Sequence, residues 1–159
     1  MELTPAAVER EYEWVRERGT VVPLINETRD RLGDCFGVDV GHVDREEYRE
    51  EVAVVFADGA RAVNVAAYVA LLRDLDVTDD YPGFVVDEVL GRELAASIAG
   101  RQPFSLLAQA TFHFADVTTH TEGVAGADDL DAALAAGFQT RLPGWEWTEG
   151  TSPFAVARE

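Results

Sequence analysis

Residues 44–75 read DREEYREEVAVVFADGARAVNVAAYVALLRDL, and the way this stretch folds on itself decides the fold class. Two structures compete for it. In one, residues 52–57 and 60–65 are the arms of a β-hairpin closed at Asp58-Gly59, a dipeptide suited to a type I′ turn. In the other, Asp44 caps a helix and Glu47, three residues later, completes a capping box. Tyr48, Val52, Val55 and Phe56 then carry the apolar face until Asp58-Gly59 ends it. The helical reading is preferred, because residues 45–51 are rich in helix formers and Val65, Tyr68, Val69, Leu72 and Leu75 recur at near-heptad spacing. This second segment is apolar nearly all round, which predicts the central helix of a bundle.

Towards the N-terminus, Thr4 precedes Pro5 as a cap precedes a first helical residue, and Val8, Tyr12 and Val15 repeat at helical spacing up to Gly19. Thr20 caps a second helix that tolerates Pro23 in its first turn, and Val21, Leu24, Ile25, Thr28, Leu32 and Phe36 form its stripe before Gly37. The glycine-flanked residues 37–43 read as a loop or an edge strand. Beyond residue 75, a turn cluster at 79–83 precedes a helical stripe of Phe84, Val85, Val89, Leu90, Leu94 and Ile98. From Pro103 onward Leu106, Leu107, Ala110 and Phe114 suit one helical face, yet residues 110–119 also alternate like a strand, and both readings stay open. A short helix follows through Leu134 to Ala136, inside a C-terminal arm, 126–159, packed on the bundle. The expectation is a mainly α single domain, 1–159, with about five or six helices, minor strands near 52–65 and 111–117, and an aromatic arm.

The chain has 159 residues and a formal charge of −17, with every one of its 13 basic residues an arginine. Its apolar residues lean on alanine and valine, and Ile25 and Ile98 are the only isoleucines. In composition it resembles the cytosolic proteins of salt-in halophilic archaea, a resemblance that implies an environment and not an activity. Such a charge repels itself in dilute buffer, whereas at molar salt the Debye length falls to ~3 Å, so salt-dependent folding is expected. The lone Cys35 cannot form an internal disulfide, and it reads as a buried small hydrophobe in a reducing compartment. No apolar run reaches the ~20 residues of a bilayer span and the first residues lack a signal-peptide pattern, which predicts a soluble cytoplasmic protein without a membrane partner. The acidic balance also disfavours nucleic acid, since phosphate binding rests on a basic surface.

One constellation could carry chemistry. If residues 110–120 are helical, His113, Asp116 and His120 share a face at offsets of three and seven, a spacing that can hold a divalent metal. Glu122, His42, Glu88 or Glu93 would complete the shell, as inward His and carboxylate ligands do in bundles. The arrangement resembles the histidine-bearing four-helix metalloproteins of the DinB-like kind, but their pair of histidines four apart is missing, so no residue role carries over. The plainer reading makes His113 and His120 ordinary surface or half-buried histidines. In a strand the two would face opposite sides and the site could not form. Phosphate-binding, dinucleotide and nucleophile-elbow patterns are absent, and the acidic residues Asp74, Asp76, Asp79 and Asp80 lack the glycine and glutamate of a calcium hand.

Trp145, Trp147 and Phe154 supply candidate interface anchors, with self-packing as the alternative. The function expected from these features is a non-enzymatic helical interaction or regulatory module acting by self- or hetero-association, through the aromatic arm or the apolar face of 65–75. A small metal-dependent enzyme or metal sensor on His113, Asp116 and His120 is the second reading. A transcription regulator using the helical hairpin of residues 4–36 is the third.

Overall fold

Thr4 opens the first helix, its hydroxyl accepting a hydrogen bond from the Ala7 N–H at 3.1 Å ahead of Pro5. In the computed structural model, which describes residues 2–74, 81–118 and 127–145, seven α-helices follow one another: α1 (Pro5–Glu17), α2 (Val21–Phe36), α3 (Arg45–Ala57), α4 (Gly59–Asp74), α5 (Tyr81–Ala99), α6 (Phe104–Thr118) and α7 (Ala127–Gln139). The described residues are thus all-α and hold no strand, with one or two helices more than the pattern predicts.

Both anticipated strand regions are helical. Asp44 Oδ1 accepts from the Glu47 N–H at 2.8 Å and Glu47 Oε1 accepts from the Asp44 N–H at 3.1 Å, so the capping box forms and commits residues 45–57 to α3. Asp58-Gly59 closes no hairpin; it is the joint at which the axes of α3 and α4 turn through 111°. Residues 111–117 lie inside α6, where the Thr111 hydroxyl donates back to Leu107 O at 2.9 Å and so accommodates a β-former in a helix. A lone hairpin would also lack a third strand to stabilise it. Thr20 makes no side-chain cap bond to α2, whereas Gly37 ends that helix in the left-handed conformation at φ 67°.

The centre of the molecule is α7, flanked by α2, α4, α5 and α6. Every residue from Leu130 to Thr140 is buried. Ala132, Ala133, Ala135, Ala136 and Gly137 keep this helix thin, so its neighbours approach its backbone closely. A Cβ on Gly137 would lie 2.9 Å from Ile98 Cβ and 3.0 Å from Ala95 O, which sets α5 directly against it. The sequence reading gives the central place to residues 65–75 and treats 126–159 as an arm. Instead, α4 buries Val65, Val69 and Leu72 as one of the surrounding helices, and the described part of the supposed arm supplies the core.

Polar ties lock the outer helices. The buried Tyr48 hydroxyl of α3 donates to Val15 O of α1 at 2.7 Å, and its ring meets Phe138 of α7 edge-on at 5.4 Å. Trp14 of α1 has the guanidinium of Arg73 4.6 Å and that of Arg18 5.0 Å from its ring centre. These same arginines neutralise two buried carboxylates: Arg73 donates to Glu11 at 2.6 Å, and Arg18 grips Asp131 of α7 with bonds of 2.9 and 3.0 Å. Among the described residues, no single helix is long and apolar enough to cross a membrane.

Candidate functional site

Three helix ends and one helix flank meet around a pocket of about 270 Å³. Ala99 at the end of α5, Arg101 in the following turn, Phe104 at the start of α6, and Thr140 and Arg141 just past α7 face Glu51 of α3 across it. Arg141 sets the geometry. Its Nε donates to Glu51 Oε1 at 2.7 Å, and its Nη1 donates to Ile98 O at 3.3 Å and Ala99 O at 3.4 Å. The side chain therefore neutralises Glu51 and closes the carbonyl end of α5. Its Nη2 takes no acceptor among the described residues.

Arg101 is exposed, lies over the Phe104 ring at 5.6 Å, and has no carboxylate partner among the described residues. The turn that carries it depends on Gly100, whose φ of +87° favours glycine and whose absent side chain makes room for Arg61: a Cβ there would lie 2.5 Å from Arg61 Nη2. Two guanidiniums thus line the pocket against a single carboxylate, a local positive excess on a chain of charge −17.

A second polar cluster sits beneath, on the other side of the α7 exit. Arg29 of α2 is wholly buried, and its Nη1 donates to Gly41 O at 2.6 Å and Pro143 O at 2.5 Å. Its Nη2 donates to Gln139 O at 2.8 Å and Leu142 O at 2.9 Å. Burial pushes this guanidinium down to about 10, against an opposing pull from Glu47, and it stays cationic at neutral pH. It closes the carbonyl end of α7 and has the Trp145 ring centre 5.5 Å away. Gly144, at φ 113°, lets the backbone pass: a Cβ there would lie 2.9 Å from Arg29 Nη1. The side-chain amide of Gln139 and the Arg29 Nε are buried without hydrogen-bond partners among the described residues.

The residues singled out from sequence are dispersed. His113 is exposed and Asp116 half-buried, three apart on α6, while His120 and Glu122 lie outside the described residues. Among the described residues no three His, Cys, Asp or Glu side chains converge as metal ligands. Glu88 pairs with Arg92 at 2.6 Å, Glu93 is exposed, and the exposed His42 has its Nε2 2.8 Å from Asp30 Oδ1. Cys35 was expected in the core but is exposed, because α2 runs past its neighbours and its last turn, residues 34–36, faces solvent.

Trp145 is 3% exposed, packs with Leu32, Val40 and Leu107, and donates its indole N–H to Gln139 O at 2.9 Å. Trp147 and Phe154 lie outside the described residues. The face of α4 expected to meet a partner is likewise spent on the core, with Val65, Val69 and Leu72 all buried.

A family model, described as a domain of unknown function (DUF7984), matches residues 1–158. The chain belongs to the DUF7984 family. No curated protein and no solved structure matches it. The pocket and the buried arginine of this DUF7984 chain were both missed from sequence, for different reasons. Arg29 carried a readable signal, since it falls on the apolar stripe of α2 beside Ile25 and Leu32, where an unpaired charge is out of place. The pocket residues come from three separate segments, 51, 99–104 and 140–141, and no spacing along the chain links the three.

Proposed function

We propose that this protein is a non-enzymatic association module of a high-salt cytoplasm, pairing with a second copy of itself through the outward face of α6. The observation that carries the reading is an exposed stripe on that helix, apolar except for His113. Leu106, Ala110, His113 and Val117 follow at spacings of four, three and four, so they occupy one narrow sector, and all are exposed. Leu106 is 55% and Val117 47% exposed, two large apolar side chains about three turns apart on one face of the helix.

Charge favours the same face. Two copies of charge −17 repel over most of their surface, and the 15 residues of α6 contain no basic residue and one acidic residue, Asp116. Contact there brings few like charges together. Val89, 54% exposed on the adjoining α5, adds apolar surface next to the stripe's own helix. A two-fold arrangement would set each stripe against its copy.

Light scattering in molar potassium chloride tests the idea. A dimer is expected for the native chain at ~100 μM, and a monomer for the double variant Leu106→Glu, Val117→Glu, because burying a like-charged pair is prohibitive. A monomeric native chain, or a double variant that stays dimeric, would sink the proposal.

A further inference from the structure

We infer that the pocket between Arg101 and Arg141 binds a small organic monoanion, a carboxylate carried on an apolar body. Three features of its lining point to that class. First, the fixed charges sum to one positive: Glu51 is already matched by Arg141 at 2.7 Å, which leaves Arg101 as the surplus. One carboxylate cancels that charge. A phosphate dianion would instead leave a net negative charge beside Glu51 on a surface already crowded with carboxylates.

Second, donors are available where an anion would sit. Arg141 is held rigid by its bonds to Glu51, Ile98 and Ala99, and the Nη2 edge left over carries two N–H groups without acceptors among the described residues. Arg101 brings a whole guanidinium that no described carboxylate engages, and a guanidinium fork matches a carboxylate in two parallel bonds. The first turn of α6 begins at Phe104 on the same rim, and although its Ser105 and Leu107 N–H groups already donate to Arg101 O and Pro103 O, the positive end of the helix dipole lies there.

Third, the remaining walls are Ala99, the Phe104 ring and Thr140, whose hydroxyl already donates to Gly137 O at 2.7 Å; together they suit an apolar body and bring no further charge. A volume of about 270 Å³ lies just below the ~300–1,000 Å³ typical of ligand sites, which suits a small acid. The apolar wall is also what would let such an acid bind in concentrated chloride, since chloride gains nothing from it. This site is separate from the α6 stripe, so its test stands whether or not the chain dimerises.

The experiment is a titration of the full chain in molar potassium chloride, with potassium benzoate replacing chloride at constant ionic strength and backbone amide resonances as the readout. Saturable shifts clustered at residues 99–104 and 140–141 are expected with benzoate, and none with the neutral isostere benzamide. Arg101→Gln, at an exposed turn position and with its fold checked by circular dichroism, should weaken benzoate about tenfold or more, the effect of losing one charge-assisted contact. Arg101→Lys should recover part of that loss. Absence of saturable shifts, equal shifts from benzamide, or undiminished binding in Arg101→Gln would each overturn the inference. Saturation by inorganic phosphate but not by benzoate would overturn the assignment of an apolar carboxylate.

Discussion

Arg29 holds four carbonyl oxygens from two distant parts of the chain, and no carboxylate shares the task. Its donors do for the end of α7 what a glycine cap cannot, because the carbonyls of Gln139, Leu142 and Pro143 all point inward. Arg29→Leu should therefore destabilise the fold by at least about 3 kcal/mol, since each buried polar group left unpaired costs roughly 1–3 kcal/mol. Arg29→Lys should rescue little, because an ammonium cannot reach four acceptors in two directions. Urea unfolding in molar salt is the measurement, and a loss under ~1 kcal/mol would mean that water satisfies these carbonyls instead. At this scale the sequence was most legible where chemistry is local. Thr4, Asp44 with Glu47, and Gly37 each act within a few residues of themselves, and each was readable. Arg29 reaches Gln139 O across 110 residues and Arg141 reaches Glu51 across 90, and these partners could not be read from spacing.

Among the elements, α7 shows why helix existence was easier to read than helix rank. Stripe patterns weigh bulky residues, so α4, with its valines and leucines, looked central and the alanine-rich α7 looked peripheral. Packing reverses that order. A central helix touched from several sides must be thin, and Ala132, Ala133, Ala135, Ala136 and Gly137 meet that need better than large side chains do. The uncertain strands failed for a related reason: valine and threonine reveal burial as readily as β structure, and local pattern carries no information on whether a partner strand exists. Gly137 gives a sharp test. Alanine normally gains about 1 kcal/mol over glycine within a helix, but here its Cβ would press on Ile98 and on the Ala95 carbonyl. Gly137→Ala should lower Tm through overpacking worth about 1–3 kcal/mol. Gly59→Ala, where a Cβ would meet nothing within 4 Å, should leave Tm unchanged or raise it. Equal responses at the two positions would refute the close α5–α7 contact.

On the scale of the whole molecule, charge governs the conditions in which the fold persists. The carboxylates outnumber the arginines 30 to 13, and at least eight arginine side chains pair with carboxylates in the described residues, so most acidic groups face solvent and one another. Screening lengths fall from about 10 Å at 0.1 M salt to ~3 Å at 1 M. Tm should therefore climb continuously with potassium chloride across that range. A flat profile would show that the surface charges are already too far apart to matter.

The place of α7 in the order of helices has a consequence for how the protein is made. During synthesis, six helices emerge before the one around which they close, and the Arg29 clasp waits on residues 139–143. Until then α2, α5 and α6 can pack on one another but the faces they turn to α7 lack their partner, so the core stays incomplete. The core is therefore completed only when the slim alanine-rich rod of α7 arrives. The acidic exterior keeps neighbouring unfinished chains apart only at low salt, because at molar salt its repulsion is screened to ~3 Å.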